Sequence, residues 1–201
     1  MKNIIPNSVQ DSISSFPFRW KGSRVGSLAL SLCVLNTTTS CDKNDDDSAD
    51  CQGIDCLPPI TQTGAGTFGC LVNGEPFFAF GGVNAQYQLI DGEYFFVVGS
   101  NRESGTLRSI ILESTKMSIS ESDFILGDFG ENKIYSFIRL SDNNLSTTLY
   151  TTDNNIGTLS ITKFDQTNQI VSGTFEFQVL NPDDNQIYQI TNGRFDSFFT
   201  R

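Results

Sequence analysis

Beyond Pro58-Pro59 the chain alternates short apolar runs with clusters of turn-forming residues. The stretch TFGCLVNGEPFFAF sets Asn73-Gly74 between two β-prone runs, and AQYQLIDGEYFFVV does the same with Asp91-Gly92. Asn-Gly and Asp-Gly accept the positive φ values of a tight turn, so each stretch predicts a hairpin. TLRSIILES and KIYSFIRL predict further strands, and STTLYTT another after a loop at Asp142, Asn143 and Asn144. Strict alternation comes later. Leu159 and Ile161 alternate with Thr158, Ser160 and Thr162, while Val171, Gly173, Phe175, Phe177 and Val179 alternate with Ser172, Thr174, Glu176 and Gln178. A period of two puts one set on a buried face and the other toward solvent. The last run, QIYQITNGRFDSFF, is expected to bend or turn at Asn192-Gly193, and SISESDFIL to form at most one or two helical turns. The pattern predicts an all-β domain over residues 66–201, an antiparallel meander of about ten strands forming a β-sandwich or barrel. A domain of this size buries roughly 68–70% of its unfolded surface, so it folds without a metal or a disulfide framework.

The first part of the chain reads differently. Residues 25–35, VGSLALSLCVL, form an apolar run that as a helix would span about 17 Å, short of the ~30 Å hydrocarbon core. Arg19, Lys21 and Arg24 flank it on one side, and Thr38, Thr39 and Ser40 precede Cys41 on the other. A positive flank, a short apolar segment and a small-residue site are the parts of an export signal. The arrangement resembles a bacterial lipoprotein signal, which implies removal of residues 1–40 and a lipid on the Cys41 thiol. Thr38 stands where that family usually has Leu, and the charged leader is long. A buried hairpin or helix, or an export signal without lipid, uses the same residues. The acidic cluster behind Cys41 (Asp42, Asp45, Asp46, Asp47 and Asp50) is too charged to enter a core, and repulsion extends it. Residues 41–65 are therefore expected to form an acidic tether. The cluster is similar to the sorting signal of Bacteroidota surface lipoproteins, which implies display on the outside of the outer membrane; a linker with no sorting role is the alternative. As an EF-hand loop it fails, with Asp47 where Gly is needed and Gly53 where Glu is needed.

Charge narrows the partners. From Cys41 onward there are 9 basic and 22 acidic side chains, a balance of −13 within an overall −10. An acidic body repels phosphate backbones, so nucleic acid is excluded as a partner, and the membrane is expected as one only through the N-terminal lipid. The chain has no histidine, which removes Ser-His-Asp and Cys-His catalysis and histidine metal ligation together. With Cys33 in the signal and Cys41 acylated, Cys51, Cys56 and Cys70 remain. Gly53 supplies a turn that brings Cys51 and Cys56 within disulfide reach, a pairing an exported compartment permits. Cys70 shares strand parity with Phe68 and reads as a buried apolar thiol.

Acids are the only abundant titratable groups, so an enzyme here would be a two-carboxylate glycosidase. Glu176 sits on the polar face of its strand, and Asp165, Asp183, Asp184 and Asp196 are expected near strand ends or loops, where capping turns is the simpler role. Asp142-Asn143-Asn144, Asp153-Asn154-Asn155 and Asp183-Asp184-Asn185 carry oxygen ligands of the kind calcium takes, but turn chemistry accounts for them as well. Arg194 is expected in a structural salt bridge or on a carboxylated ligand. No catalytic residue, metal site or cofactor is assigned. The stretches TFGCLVNG, GTLSITKFD, IVSGTFEF and ITNGRFD resemble an uncharacterised domain family of Bacteroidota lipoproteins, over about Gly66 to Phe199. The resemblance implies fold and location and carries over no catalytic residue. The expected function is a lipid-anchored outer-membrane lipoprotein whose non-enzymatic β domain serves binding or envelope architecture, its protein or glycan partner unknown. A barrel-type carrier of a small apolar ligand and a two-carboxylate carbohydrate-active enzyme are the alternatives.

Overall fold

The computed structural model describes residues 51–79, 82–102, 105–142 and 145–201. Eleven strands run through them: β1 (Thr67–Val72), β2 (Glu75–Phe78), β3 (Val83–Ile90), β4 (Glu93–Asn101), β5 (Leu107–Thr115), β6 (Asp123–Leu126), β7 (Lys133–Asp142), β8 (Leu145–Tyr150), β9 (Gly157–Asp165), β10 (Ile170–Leu180) and β11 (Ile187–Phe198). They form two antiparallel sheets packed as a sandwich, with six strands in the order β2-β1-β11-β10-β9-β6 and five in the order β3-β4-β5-β7-β8. Both expected hairpins form. Asn73 and Gly74 take φ of 52° and 88°, and Asp91 and Gly92 take 51° and 84°, the left-handed pair that a two-residue turn requires.

The meander is broken twice. β6 leaves the five-stranded sheet to pair with β9, and β1 closes against β11, the two ends of the domain meeting in one sheet. SISESDFIL forms no helical turn; its last four residues are β6. The segment has no apolar face at helical spacing, and Leu126 reaches the core from an extended chain.

β11 holds the second difference. Ile190 and Phe195 are both buried although they stand five positions apart, an odd spacing that a regular strand puts on opposite faces. Opposite β10, Phe175 pairs with Gly193 and Phe177 with Ile190, so Thr191 and Asn192 face Glu176 alone. This is a β-bulge, with Asn192 at φ 53°, and it resets the parity of the strand. Asn192-Gly193 therefore kinks a continuous strand instead of turning it. Gly193 is required for another reason. A Cβ there would stand 2.5 Å from the Phe175 ring, which lies across the glycine.

The core is filled from both sheets by Phe68, Phe77, Phe96, Phe175, Phe177 and Phe195 with Ile110, Leu112, Ile138 and Leu159. Rings pack directly, with Phe68 and Phe175 centred 5.2 Å apart and Tyr87 edge-on to Phe164 at 4.9 Å. Hydrogen bonds stitch both seams. Past β11, Thr200 exchanges hydrogen bonds with Ala85 and Tyr87 of β3, at 3.0 and 2.8 Å. At the other seam the buried Thr151 hydroxyl donates to the Gly127 carbonyl at 2.7 Å and accepts from the Ser136 amide at 3.0 Å.

Candidate functional site

The outer face of the six-stranded sheet carries two features: a strap across one end and an open trough at the other. The strap is built on Asp196. On β11, Asp196 points away from the core yet is 1% exposed, because residues 61–65 fold over it. One carboxylate oxygen, Oδ2, accepts from the Thr61 hydroxyl at 2.6 Å, the Thr63 amide at 2.9 Å and hydroxyl at 3.3 Å, and the Ala65 amide at 3.1 Å. The other, Oδ1, accepts from the Gly64 amide and the buried Ser172 hydroxyl, both at 2.8 Å. Burial alone would raise this carboxyl. The donors from Thr61, Thr63, Ser172 and Gly64 outweigh it and hold the group well below the usual carboxylate range.

Upstream, Leu57 is buried, Pro58 lies against Gly69 with its Cδ only 2.7 Å from where a Cβ would be, and Arg194 donates to the Pro58 carbonyl at 3.3 Å. Residues 57–65, assigned from sequence to a solvated tether, are thus bound to the domain. The acids that argue for solvation all lie at or before Asp55, and the strap itself is uncharged. Asp196 lies near the end of β11, as expected, but its carboxylate holds a segment more than 130 residues away in sequence and not a turn of its own. One expectation is corrected. Arg194 makes no salt bridge among the described residues; its guanidinium serves the carbonyls of Asn192 and Pro58.

The trough lies beyond the strap. At the bulge, a shallow depression of about 350 Å³ is lined by Ile156, Gly157, Phe177 and Ile190 together with Thr158, Glu176, Gln178, Gln189 and Thr191, and most of its exposed lining is apolar. A second depression of about 300 Å³ shares Thr158 and extends over Asp123, Ile125 and Ser160. Pairing explains the alignment. Asp123 faces Ser160 and Ile125 faces Thr158 across β6 and β9, Thr158 faces Glu176 across β9 and β10, and Gln178 faces Gln189 across β10 and β11. These are the outward positions of period-two strands, so hydroxyls, amides and two carboxylates share one face.

Asp123 and Glu176 sit two strands and one side-chain row apart, about 12 Å between Cα atoms from ladder spacings. Paired catalytic carboxyls stand ~5 Å apart in retaining glycosidases and ~6.5–9.5 Å in inverting ones.

The other sequence candidates are scattered. Asp165 accepts from the Asn168 side chain and from the amides of Asn168 and Thr167, which lowers its pKa and fixes the β9–β10 turn. Asp184 accepts from the Gln186 amide, and the Asp183 amide donates to Asn181. Asp153 trades bonds with the Asp128 backbone and side chain. Asp142 ends β7, and Asn143 and Asn144 lie outside the described residues. Among the described residues no three acids or cysteines gather to hold a metal. Cys70 is fully buried, and burial pushes its thiol far up, against a weak opposing pull from Arg102. Cys51 and Cys56 are joined in a disulfide with Cα atoms 5.1 Å apart. Cys41, Asp42, Asp45, Asp46 and Asp47 lie outside the described residues.

Sequence reasoning named Glu176 but missed the trough, because the pairing of β6 with β9 that extends it has no local signal. On the outer face of the five-stranded sheet, Tyr135 and Phe137 pack under Phe129 and Tyr150. Glu113 lies beside them, its pKa raised by burial against the opposing effects of the Tyr135 hydroxyl and Arg139. No helix among the described residues is long and apolar enough to cross a membrane.

Neither a curated protein nor a solved structure matches the chain. A family model, described as a domain of unknown function (DUF6252), matches residues 70–198, from the middle of β1 to the end of β11. The chain belongs to this DUF6252 family.

Proposed function

We propose that the protein is a lipid-anchored lipoprotein of the outer membrane, of the Bacteroidota type, and that its sandwich is a non-enzymatic binding module held outward by the lipid at Cys41. The observation that carries this reading is the strap. A domain hung from its N-terminus transmits every pull on the anchor through the first residues that touch the fold. Here those residues are fastened by Leu57, by Arg194 on Pro58 and by the Asp196 carboxylate. Six donors on one buried carboxylate are a strong local attachment, since bonds to charged acceptors exceed neutral ones. Diacylglycerol plus an amide-linked acyl chain suffices for stable membrane attachment. Asp42, Asp45, Asp46 and Asp47 then form the charged part of the leash, shorter than residues 41–65 because the strap is docked.

The packing of the sandwich interior by phenylalanine and aliphatic side chains supports a module that binds at its surface over the carrier alternative. The test is metabolic labelling with radioactive palmitate in a native host. Wild type takes up label and sediments with outer membranes, and Cys41→Ala does neither. Equal labelling of both proteins rejects acylation at this cysteine.

A further inference from the structure

We infer that the trough on the six-stranded sheet is a binding site for a neutral, hydroxyl-rich oligosaccharide. This deepens the binding-module reading and rests on it.

The exposed lining of both depressions is mostly apolar, and the polar groups set in it select the ligand class. Thr158, Ser160 and Thr191 offer hydroxyls, Gln178 and Gln189 offer amides that donate and accept, and Asp123 and Glu176 offer paired acceptors. No Lys or Arg lines either depression. The trough thus has nothing to neutralise a phosphate, sulfate or uronate, and its two carboxylates repel them. A carboxylate is also the strongest neutral-pH acceptor for a pair of sugar hydroxyls.

The side chains are uncommitted. Among the described residues Glu176, Gln178 and Gln189 make no side-chain hydrogen bond to protein, unlike the acids that fix the turns. An extended peptide is a poorer occupant. The trough crosses β9 and β10, whose main-chain groups are paired on both sides; of its strands only β6, at the sheet edge and four residues long, leaves a ladder free. Over β9 and β10 a ligand is read by side chains alone. Those side chains recur at the strand spacing of ~4.8 Å, close to the length of one pyranose unit; β6 to β11 gives about 14 Å, or about three units. Ile125 and Ile156, 60% and 51% exposed, supply apolar walls for the C–H faces of the rings.

The test is calorimetry on the detergent-solubilised protein with cello-, laminari-, manno- and xylohexaose. A galacturonate hexamer forms the anionic arm and a glucosamine hexamer the cationic arm. At least one neutral hexasaccharide is expected to bind with sub-millimolar Kd. The double variant Gln178→Ala/Gln189→Ala is expected to weaken it at least tenfold with an unchanged melting temperature, and Glu113→Gln on the opposite sheet to leave it unchanged. The inference is overturned if none of the neutral probes binds, if either charged hexamer binds more tightly than all of them, or if the double variant binds as wild type does. Palmitate labelling is independent of all three outcomes, so a failed sugar site leaves the anchored reading standing, and failed labelling does not decide the sugar site.

Discussion

Replacing Asp196 by Asn removes a charge and one acceptor while keeping the shape of the side chain. The carboxylate receives four donors on Oδ2 and two on Oδ1. An amide satisfies one set at most. Its best orientation puts the carbonyl toward Thr61, Thr63 and Ala65 and turns the NH2 group against the Gly64 amide and Ser172. The serine hydroxyl can rotate to accept; the Gly64 N–H cannot. A hydrogen bond to a charged group contributes ~1.5–3 kcal/mol net, and bonds sharing one acceptor do not add. The strap amides regain water when released, so Asp196→Asn should cost about 2 kcal/mol and Asp196→Ala about 3–4 kcal/mol, the latter also stranding the buried Ser172 hydroxyl. For a domain of this size 2 kcal/mol lowers Tm by about 4–8 °C.

The pH dependence has a definite sign. Because the folded carboxyl is held below its ordinary value, its contribution is complete above the unfolded pKa of about 4 and is lost as pH falls through the folded one. The Tm gap between wild type and Asp196→Asn should therefore be flat from neutral pH to about 5 and shrink below about 4. Circular dichroism melts across this range, with limited proteolysis to map new cuts in residues 57–66, make the assay. A variant melting within about 2 °C of wild type at pH 7, with no new cleavage in the strap, refutes the clamp.

Glu113 should show the opposite sign. Burial raises its pKa, so its stability is present below the unfolded value and lost as pH rises through the folded one. Glu113→Gln should be more stable than wild type at pH 7 and lose that advantage toward pH 4, as read by the same melts. Gly157→Ala should cost about 1–3 kcal/mol, because the new methyl would overlap Phe177 Cβ and the Glu176 carbonyl and force the backbone to shift; urea unfolding measures it. Cys70 should resist a thiol-reactive dye in the native protein and react on denaturation; rapid native labelling would contradict its burial.

Much of the fold was legible because its signals are local. Asn73-Gly74 and Asp91-Gly92 announce their hairpins by backbone chemistry, and Phe175, Phe177 and Val179 announce a buried face by parity alone. What escaped depends on partners distant in sequence. DFIL of β6 is four residues long and shows no clean alternation, and only β9 makes it a strand. The bulge at Thr191 and Asn192 was half visible in Asn192-Gly193, but choosing a kink over a turn required knowing that Ile190 and Phe195 both face inward. Asp196 carried the right parity for an outward side chain; nothing in ITNGRFD says that Thr61 to Ala65 will cover it. The strap was missed because its uncharged residues adjoin an acidic run and were grouped with it. The trough was missed for the same reason as β6, since Asp123 and Ser160 meet only through that pairing.

Intact-mass spectrometry of the protein extracted from its native host tests the proposed lipid anchor most directly. The predicted mass is that of a chain beginning at Cys41, increased by a diacylglycerol on the thiol and a fatty acyl group on the new amino terminus. A mass equal to the unmodified full-length chain, recovered from the soluble fraction, would contradict it.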